Sequence, residues 1–270
     1  MLKKILLKIY KTYFAKKYTP EEIFELNLRK NKLISNFEKD NNNYLAESSY
    51  GKTIIRGNKH SDFAVFRQIF NDQEYKTVLS LFKLNKFKTE NLVLIDAGAN
   101  VGYTSLYFLQ NIPNLKVFGI EPSESNMSIY KQNISLNNFE KQLTFYPNAL
   151  AETENKSFSI DNTFRDGKDW AIATKESEKG EIKGVTISEI IKSNNLNNIS
   201  ILKIDIEGAE RFIFNTANDL SFLAITQIIA IEIHDEFDIR NDINNILKEN
   251  NFILFETGEL TVGVNKSLIK

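Results

Sequence analysis

The stretch Val93-Leu-Ile-Asp-Ala-Gly-Ala-Asn-Val-Gly-Tyr103 restricts the fold more than any other part of the 270-residue chain. Val93, Leu94 and Ile95 form the apolar run of a strand covered on both faces. Gly98 and Gly102 then allow a tight turn in which backbone can approach a neighbour closely. A helix starting near Val101 would aim free N–H groups and a positive dipole end at whatever occupies the turn. In open α/β sheets such turns line the crevice beyond the carboxyl ends of parallel strands. Taken alone, the turn suits a plain strand-to-helix connection equally well.

The next strand narrows the choice. Lys116-Val-Phe-Gly-Ile-Glu-Pro122 is a second apolar run ending in an acid, about twenty residues after the turn. A carboxylate at Glu121 can accept hydrogen bonds from both hydroxyls of a ribose. Pro122 stops the strand and Ser123 can cap the following helix. A nicotinamide dinucleotide would use the same layout, but its fingerprint wants a second Gly where this chain has Asn100. A side chain there crowds a pyrophosphate and can bond a ligand that bears an amino acid, which favours S-adenosylmethionine over NAD.

Two further strands end in ionisable groups. Ile199-Ser-Ile-Leu-Lys-Ile-Asp-Ile-Glu-Gly-Ala-Glu210 places Asp205 and Glu207 on one side, and Gln227-Ile-Ile-Ala-Ile-Glu-Ile-His234 does the same for Glu232 and His234. Core strands rarely need this for packing, because lone buried charges are costly. His234, one of two histidines, is the candidate general base, with Glu232 or Asp205 orienting it; a satisfied structural histidine is the competing reading. Asp205 is the other candidate base, or holds the donor's amino end. Glu207 and Glu210 serve an acceptor, or pair with Lys203 and Arg211. Asp205, Glu232 and His234 are also ligands of the kind a divalent metal uses. Nothing in the spacing requires one, and no metal is the favoured expectation.

Asp96-Ala-Gly-Ala-Asn-Val-Gly102, Ile120-Glu-Pro122, Leu202-Lys-Ile-Asp-Ile-Glu-Gly-Ala-Glu210 and Ile231-Glu-Ile-His234 together resemble the FkbM family of S-adenosylmethionine-dependent methyltransferases, within the class-I superfamily. The resemblance runs in order from about residue 62 to about residue 234 and continues weakly beyond. It implies a donor held by Asp96, Gly98, Asn100, Gly102, Glu121 and Asp205, with Asn148 and Ala149 beside the adenine, and release of S-adenosylhomocysteine. It also implies O-methylation of a hydroxyl on a sugar, glycan or secondary metabolite. N-methylation of a small molecule, a non-catalytic nucleotide-binding module and an NAD-dependent oxidoreductase are the alternatives.

From residue 91 onward the rhythm of strand and helix implies parallel strands near 92–96, 116–121, 142–147, 199–205 and 227–234. Thr257-Gly-Glu259 joins two apolar runs as a hairpin. The expected fold is therefore α/β, a doubly wound Rossmann-like sheet of seven strands, mostly parallel, closing with an antiparallel C-terminal hairpin. Residues 61–270 would form this methyltransferase domain and residues 1–60 a mainly helical extension. Thr19-Pro-Glu-Glu22 starts a helix expected to run to about residue 39, Asp40-Asn-Asn-Asn43 reads as a polar break, and Lys52-Thr-Ile-Ile-Arg56 as a short strand. Residues 62–70 and 74–82 read as helices that cover a sheet edge, and the resemblance implies the alternative that Asp62 to Tyr75 help to shape the mouth of the donor site. Residues 150–198 are long for a connection and suggest a lid, in which Trp170 could stack on an acceptor ring or pack beneath the loop.

A net charge of −1 provides no general field for nucleic acid, which is not expected as a partner. The absence of cysteine removes disulfides and thiolate chemistry. No run approaches the roughly 20 apolar residues of a membrane span. The Lys-interrupted N-terminus does not read as a signal peptide, so the expectation is a cytoplasmic protein. Leu2, Ile5, Leu6, Ile9 and Tyr13 lie near helical spacing among lysines. An amphipathic helix packed on the domain or on a second subunit of a homodimer is preferred there to one lying on the inner membrane surface.

Overall fold

The computed structural model describes residues 17–85, 91–161 and 173–269. Helix α1 (Pro20–Lys30) starts as the sequence requires, with a reciprocal Thr19–Glu22 capping box and Pro20 in the first turn. It stops nine residues before the expected end. Three antiparallel strands follow, β1 (Ile34–Asp40), β2 (Asn43–Ser48) and β3 (Gly51–Arg56), in the order β1-β2-β3. The polar break at 40–43 is the β1–β2 turn, with Asn41 left-handed at φ 55°. Among the described residues, then, the N-terminal extension is largely a β-meander, not a helical segment. β1 hides this because it is an edge strand with most side chains in solvent, so no alternation of apolar residues marks it.

Helix α2 (Asp62–Phe66) continues through a π-helical turn to Asn71, and α3 (Lys76–Leu84) follows. The α/β unit then runs β4 (Val93–Ala97), α4 (Tyr103–Asn111), β5 (Lys116–Ile120), α5 (Glu124–Ser135) and β6 (Leu143–Tyr146). Residues 149–185 contribute β7 (Ala149–Leu150), β8 (Ser157–Asp161), β9 (Ala173–Glu176) and β10 (Ile182–Val185). These form a small sheet of order β7-β10-β8-β9 in the region expected to be a lid. The chain ends with α6 (Ile187–Asn194), β11 (Ile199–Ile204), the short α7 (Glu210–Ile213), β12 (Thr226–Glu232), α8 (Arg240–Glu249), β13 (Phe252–Thr257) and β14 (Leu260–Asn265).

Seven strands assemble in the order β13-β14-β12-β11-β4-β5-β6. β12, β11, β4, β5 and β6 are parallel, while β14 pairs antiparallel with both β12 and β13. Alternate residues of β4 feed different cores. Leu94 packs with α2 to α5, whereas Val93 and Ile95 pack with α6, α7 and α8. This is why β4 reads as continuous rather than alternating hydrophobicity. The chain reverses its winding between β4 and β11, so a crevice opens over the carboxyl ends of these two central strands. No helix among the described residues is long and apolar enough to cross a membrane.

The meander is sewn to the α/β unit. The backbone amides of Lys52 and Ile54 donate to the side chains of Asn137 and Asn133, at 3.0 and 2.7 Å. Tyr44, Ala46 and Ile55 belong to the same hydrophobic core as Phe66, Phe70 and Leu106.

Candidate active site

A cavity of about 780 Å³ lies over the carboxyl ends of the strands, within the usual size of a small-molecule site. On the β4–β5 side its wall includes Gly98, Ala99, Asn100, Val101, Glu121, Asn126, Ala149 and Leu150. On the β11–β12 side it includes Lys203, Asp205, Ile206, Glu207 and Glu232, joined by Glu74 between α2 and α3 and by Glu259 in the β13–β14 hairpin.

The β4–α4 turn has the shape its glycines require. Gly98 sits at φ 74°, and a Cβ there would lie 1.8 Å from the carbonyl oxygen of Asp205, so the two central loops touch only because the side chain is missing. Asn100 is also left-handed, at φ 51°, a conformation Asn tolerates better than most residues. Its backbone amide donates to Glu121 Oε2 at 2.8 Å, and the Ser123 amide donates to Glu121 Oε1 at 2.9 Å. Burial pushes the Glu121 carboxyl up to about 7, against the pull of those two amides, Lys203 and Asn126. Asn100 Oδ1 is buried at the cavity wall with no hydrogen-bond partner among the described residues.

Asp96 plays another part than the expected donor contact. It is fully buried, does not line the cavity, and accepts a 2.6 Å bond from Ser105 Oγ below the turn. Lys203 reaches it at 3.5 Å and Asp205 at 3.6 Å, and donates to the carbonyls of Ala97 and Gly98 at 3.1 and 2.7 Å. A buried ammonium thus ties the β4 and β11 turns together, satisfied as a buried charge must be. Gly102 faces Tyr130 and not the cavity: a Cβ there would lie 1.9 Å from the ring. Asn148 also lies off the wall, its side chain donating to the Lys183 carbonyl at 3.1 Å, whereas Ala149 lies on it.

β11 ends at Ile204, so Asp205 and Glu207 lie in the turn that follows, with Glu207 left-handed at φ 54°. Glu207 and Glu210 pair with His234, at 3.4 and 3.2 Å, and not with Lys203. Arg211 lies over the Phe237 ring at 3.8 Å. His234 is 2% exposed and stands behind the cavity wall. Burial alone would lower its pKa, but the Glu207 and Glu210 carboxylates push it up to about 10. It is therefore an imidazolium held by acids at neutral pH, and in that form it has no lone pair with which to take a proton. Asp205, Glu207 and His234 each place one ligand atom within 4.8 Å of the others, and a metal there would have to displace the proton from His234.

Glu232 does face the cavity, 3.8 Å from His234. Burial first, then the negative charge of Asp205, push its carboxyl up to about 8, with His234 opposing. Glu74 stands at about 7, raised by burial and held by a 2.8 Å bond from Gln68 Nε2. Glu74, Asn126 and Glu259 were not signalled by any strand-end pattern, because they reach the cavity from a helix junction, a helix and a hairpin. Trp170 lies outside the described residues; Thr174, at the start of β9, is on the wall.

The chain is 22% identical over 219 residues to methyltransferase sdnD of Sordaria araneosa, covering 70% of this chain and 81% of that protein. It is 23% identical over 233 residues to the 31-O-demethyl-FK506 methyltransferase FkbM of Streptomyces tacrolimicus, covering 75% and 86%. Among solved structures, a SAM-dependent methyltransferase from Agrobacterium tumefaciens aligns over 85% of this chain and 72% of its own, with 10% identity and a TM-score of 0.44. The methyltransferase FkbM domain matches residues 96–254, more than half of the chain, from the end of β4 into β13. The chain belongs to the FkbM methyltransferase family.

Proposed function

We propose that the chain transfers a methyl group from S-adenosylmethionine to a hydroxyl of a sugar, glycan or secondary metabolite. The observation that carries this reading is the Glu121 carboxylate. Two backbone amides fix its oxygens at the cavity wall, and its remaining acceptor capacity can take a ribose hydroxyl. Bound here, the donor supplies a methyl activated on a sulfonium. Ala149 and Leu150 offer apolar surface to the adenine, and the unpaired Asn100 Oδ1 accepts from an amino group.

The acidic wall then handles the acceptor. An in-line displacement needs the acceptor oxygen held close, and its proton removed as the bond forms. Glu232 is the carboxylate suited to take that proton, because it faces the cavity and titrates near working pH. His234 holds Glu207 and Glu210 from behind. The acceptor in this reading is a hydroxyl, whose proton Glu232 takes as the new bond forms. The relative whose name specifies an O-demethyl substrate supports the same choice.

Calorimetry with S-adenosylhomocysteine, S-adenosylmethionine and NADH tests the donor. Both sulfur ligands should bind and NADH should not, and Glu121→Ala should remove binding. NADH binding without the sulfur ligands would overturn the assignment.

A further inference from the structure

The buried polar groups beneath Glu121 form one connected chain that begins in the N-terminal meander. Arg56, the last residue of β3, is 5% exposed, and Asp62, the first of α2, is 1% exposed. Arg56 Nη2 donates to Asp62 Oδ1 at 2.7 Å, and Nε donates to Oδ2 at 2.9 Å. The Arg56 backbone amide donates to Oδ2 as well, at 2.9 Å. Arg56 Nη2 also donates to Asn126 Oδ1, at 2.8 Å. Asn126 is 1% exposed and lies on the cavity wall. Its side chain lies beside Glu121 on that wall and helps to hold the carboxyl's pKa down against burial.

The direction of this chain follows from donor and acceptor counting. A guanidinium only donates, so it can face only the amide oxygen of Asn126. The amide nitrogen is then the end left to face Glu121, which as a carboxylate only accepts. Arg56 thereby sets which end of Asn126 the ribose-binding acid meets. Asp62 in turn holds Arg56 with a two-pronged pair that fixes the plane of the guanidinium. A buried charge with this many partners is held in one place, and freeing any one partner is costly.

We propose that Asn126 is a positioning residue for the ribose-binding carboxylate of Glu121, oriented through the buried Arg56–Asp62 pair, so that the N-terminal meander helps to build the donor site. Asn126 presents a third donor to a carboxylate already held by Asn100 and Ser123, leaving about one acceptor site for a ribose hydroxyl. The inference rests on the reading of the cavity as a site for an adenosyl donor.

The test uses the full chain, with S-adenosylhomocysteine and its 2′-deoxy analogue as calorimetric probes. Asn126→Asp keeps the shape and the acceptor for Arg56, but loses the donor to Glu121 and sets a like charge beside it. The wild type should prefer the ribose ligand to the 2′-deoxy analogue by about tenfold or more, the worth of a hydrogen bond to a charged group. In Asn126→Asp that preference should shrink to about threefold or less, with the melting temperature within a few degrees of the wild type. Asn126→Ala, which leaves Arg56 paired with Asp62, should shrink the preference in the same way. A merely structural role would weaken both ligands equally and leave the preference intact. A folded variant with the wild-type preference overturns the inference alone. A wild type that binds neither ligand overturns the donor reading and the inference with it.

Discussion

Glu232 illustrates how a single residue's surroundings assign its chemistry. Its carboxyl is raised by burial and by Asp205, so the deprotonated form, the one able to accept a proton, appears only as pH rises through about 8. With donor saturating and the true acceptor supplied, kcat should therefore climb with pH along a limb centred near 8. Glu232→Gln should lower kcat by about a hundredfold or more and abolish that limb, while S-adenosylhomocysteine binding stays within about threefold of the wild type. A Glu232→Gln profile that keeps the limb would move the base elsewhere on the acidic wall. The carboxylates themselves were legible in the sequence, because a strand with Ile at every packing position has no structural use for acids at its end. The division of labour between Glu232 and His234 was not. It depends on Glu207 and Glu210 approaching the imidazole from a different loop, and a one-dimensional pattern does not show which of several acids reaches which base.

The central turns, at the scale of elements, are coupled through bare backbone. Gly98 meets the Asp205 carbonyl, which cannot move aside without shifting the whole β11 loop. Gly258, in the β13–β14 hairpin, shares the left-handed backbone at φ 61° but would place its Cβ against nothing within 4 Å. Gly258→Ala should thus cost only backbone strain, about 1 kcal/mol, whereas Gly98→Ala should cost about 2 kcal/mol or more and weaken donor binding besides. Urea midpoints and calorimetry on both variants check this, and equal costs would show that the loops are not locked at Gly98. The strands of the main sheet were readable to within a residue or two, because each is an apolar run closed by a turn signal. β3 was readable too, from its Thr-Ile-Ile run, but β1 and β2 were not, since their inward residues are shared with helices distant in sequence and their outward residues are polar. The strands within 149–185 escaped for a related reason: they are two to five residues long and belong to a sheet with its own small core of Ala149, Ala151 and Phe158.

At the scale of the whole molecule, the expected division at residue 60 can be weighed against what crosses it. Tyr44, Ala46 and Ile55 share one core with Phe66, Phe70, Tyr103 and Leu106. Tyr103 also donates to the Ile54 carbonyl at 2.6 Å. A chain that starts at residue 61 would expose the apolar surface those residues cover and would strip Asp62 of Arg56. Removing one partner of a buried ion pair costs about 3–5 kcal/mol by itself, and the loss of three buried core side chains adds several more. Domains are stable by only about 5–15 kcal/mol in total, so the shortened chain should lack a cooperative thermal transition. Circular dichroism melts of residues 61–270 beside the full chain decide the point. A truncated chain that melts cooperatively and binds S-adenosylhomocysteine with the full chain's affinity would make the meander a separable appendage. It would also leave Glu121 without need of the Arg56 connection. A chain that loses its transition, together with Asn126 variants that stay folded and lose ribose preference, would show the meander acting twice, as a wall of the core and as the far end of the polar chain beneath the donor site.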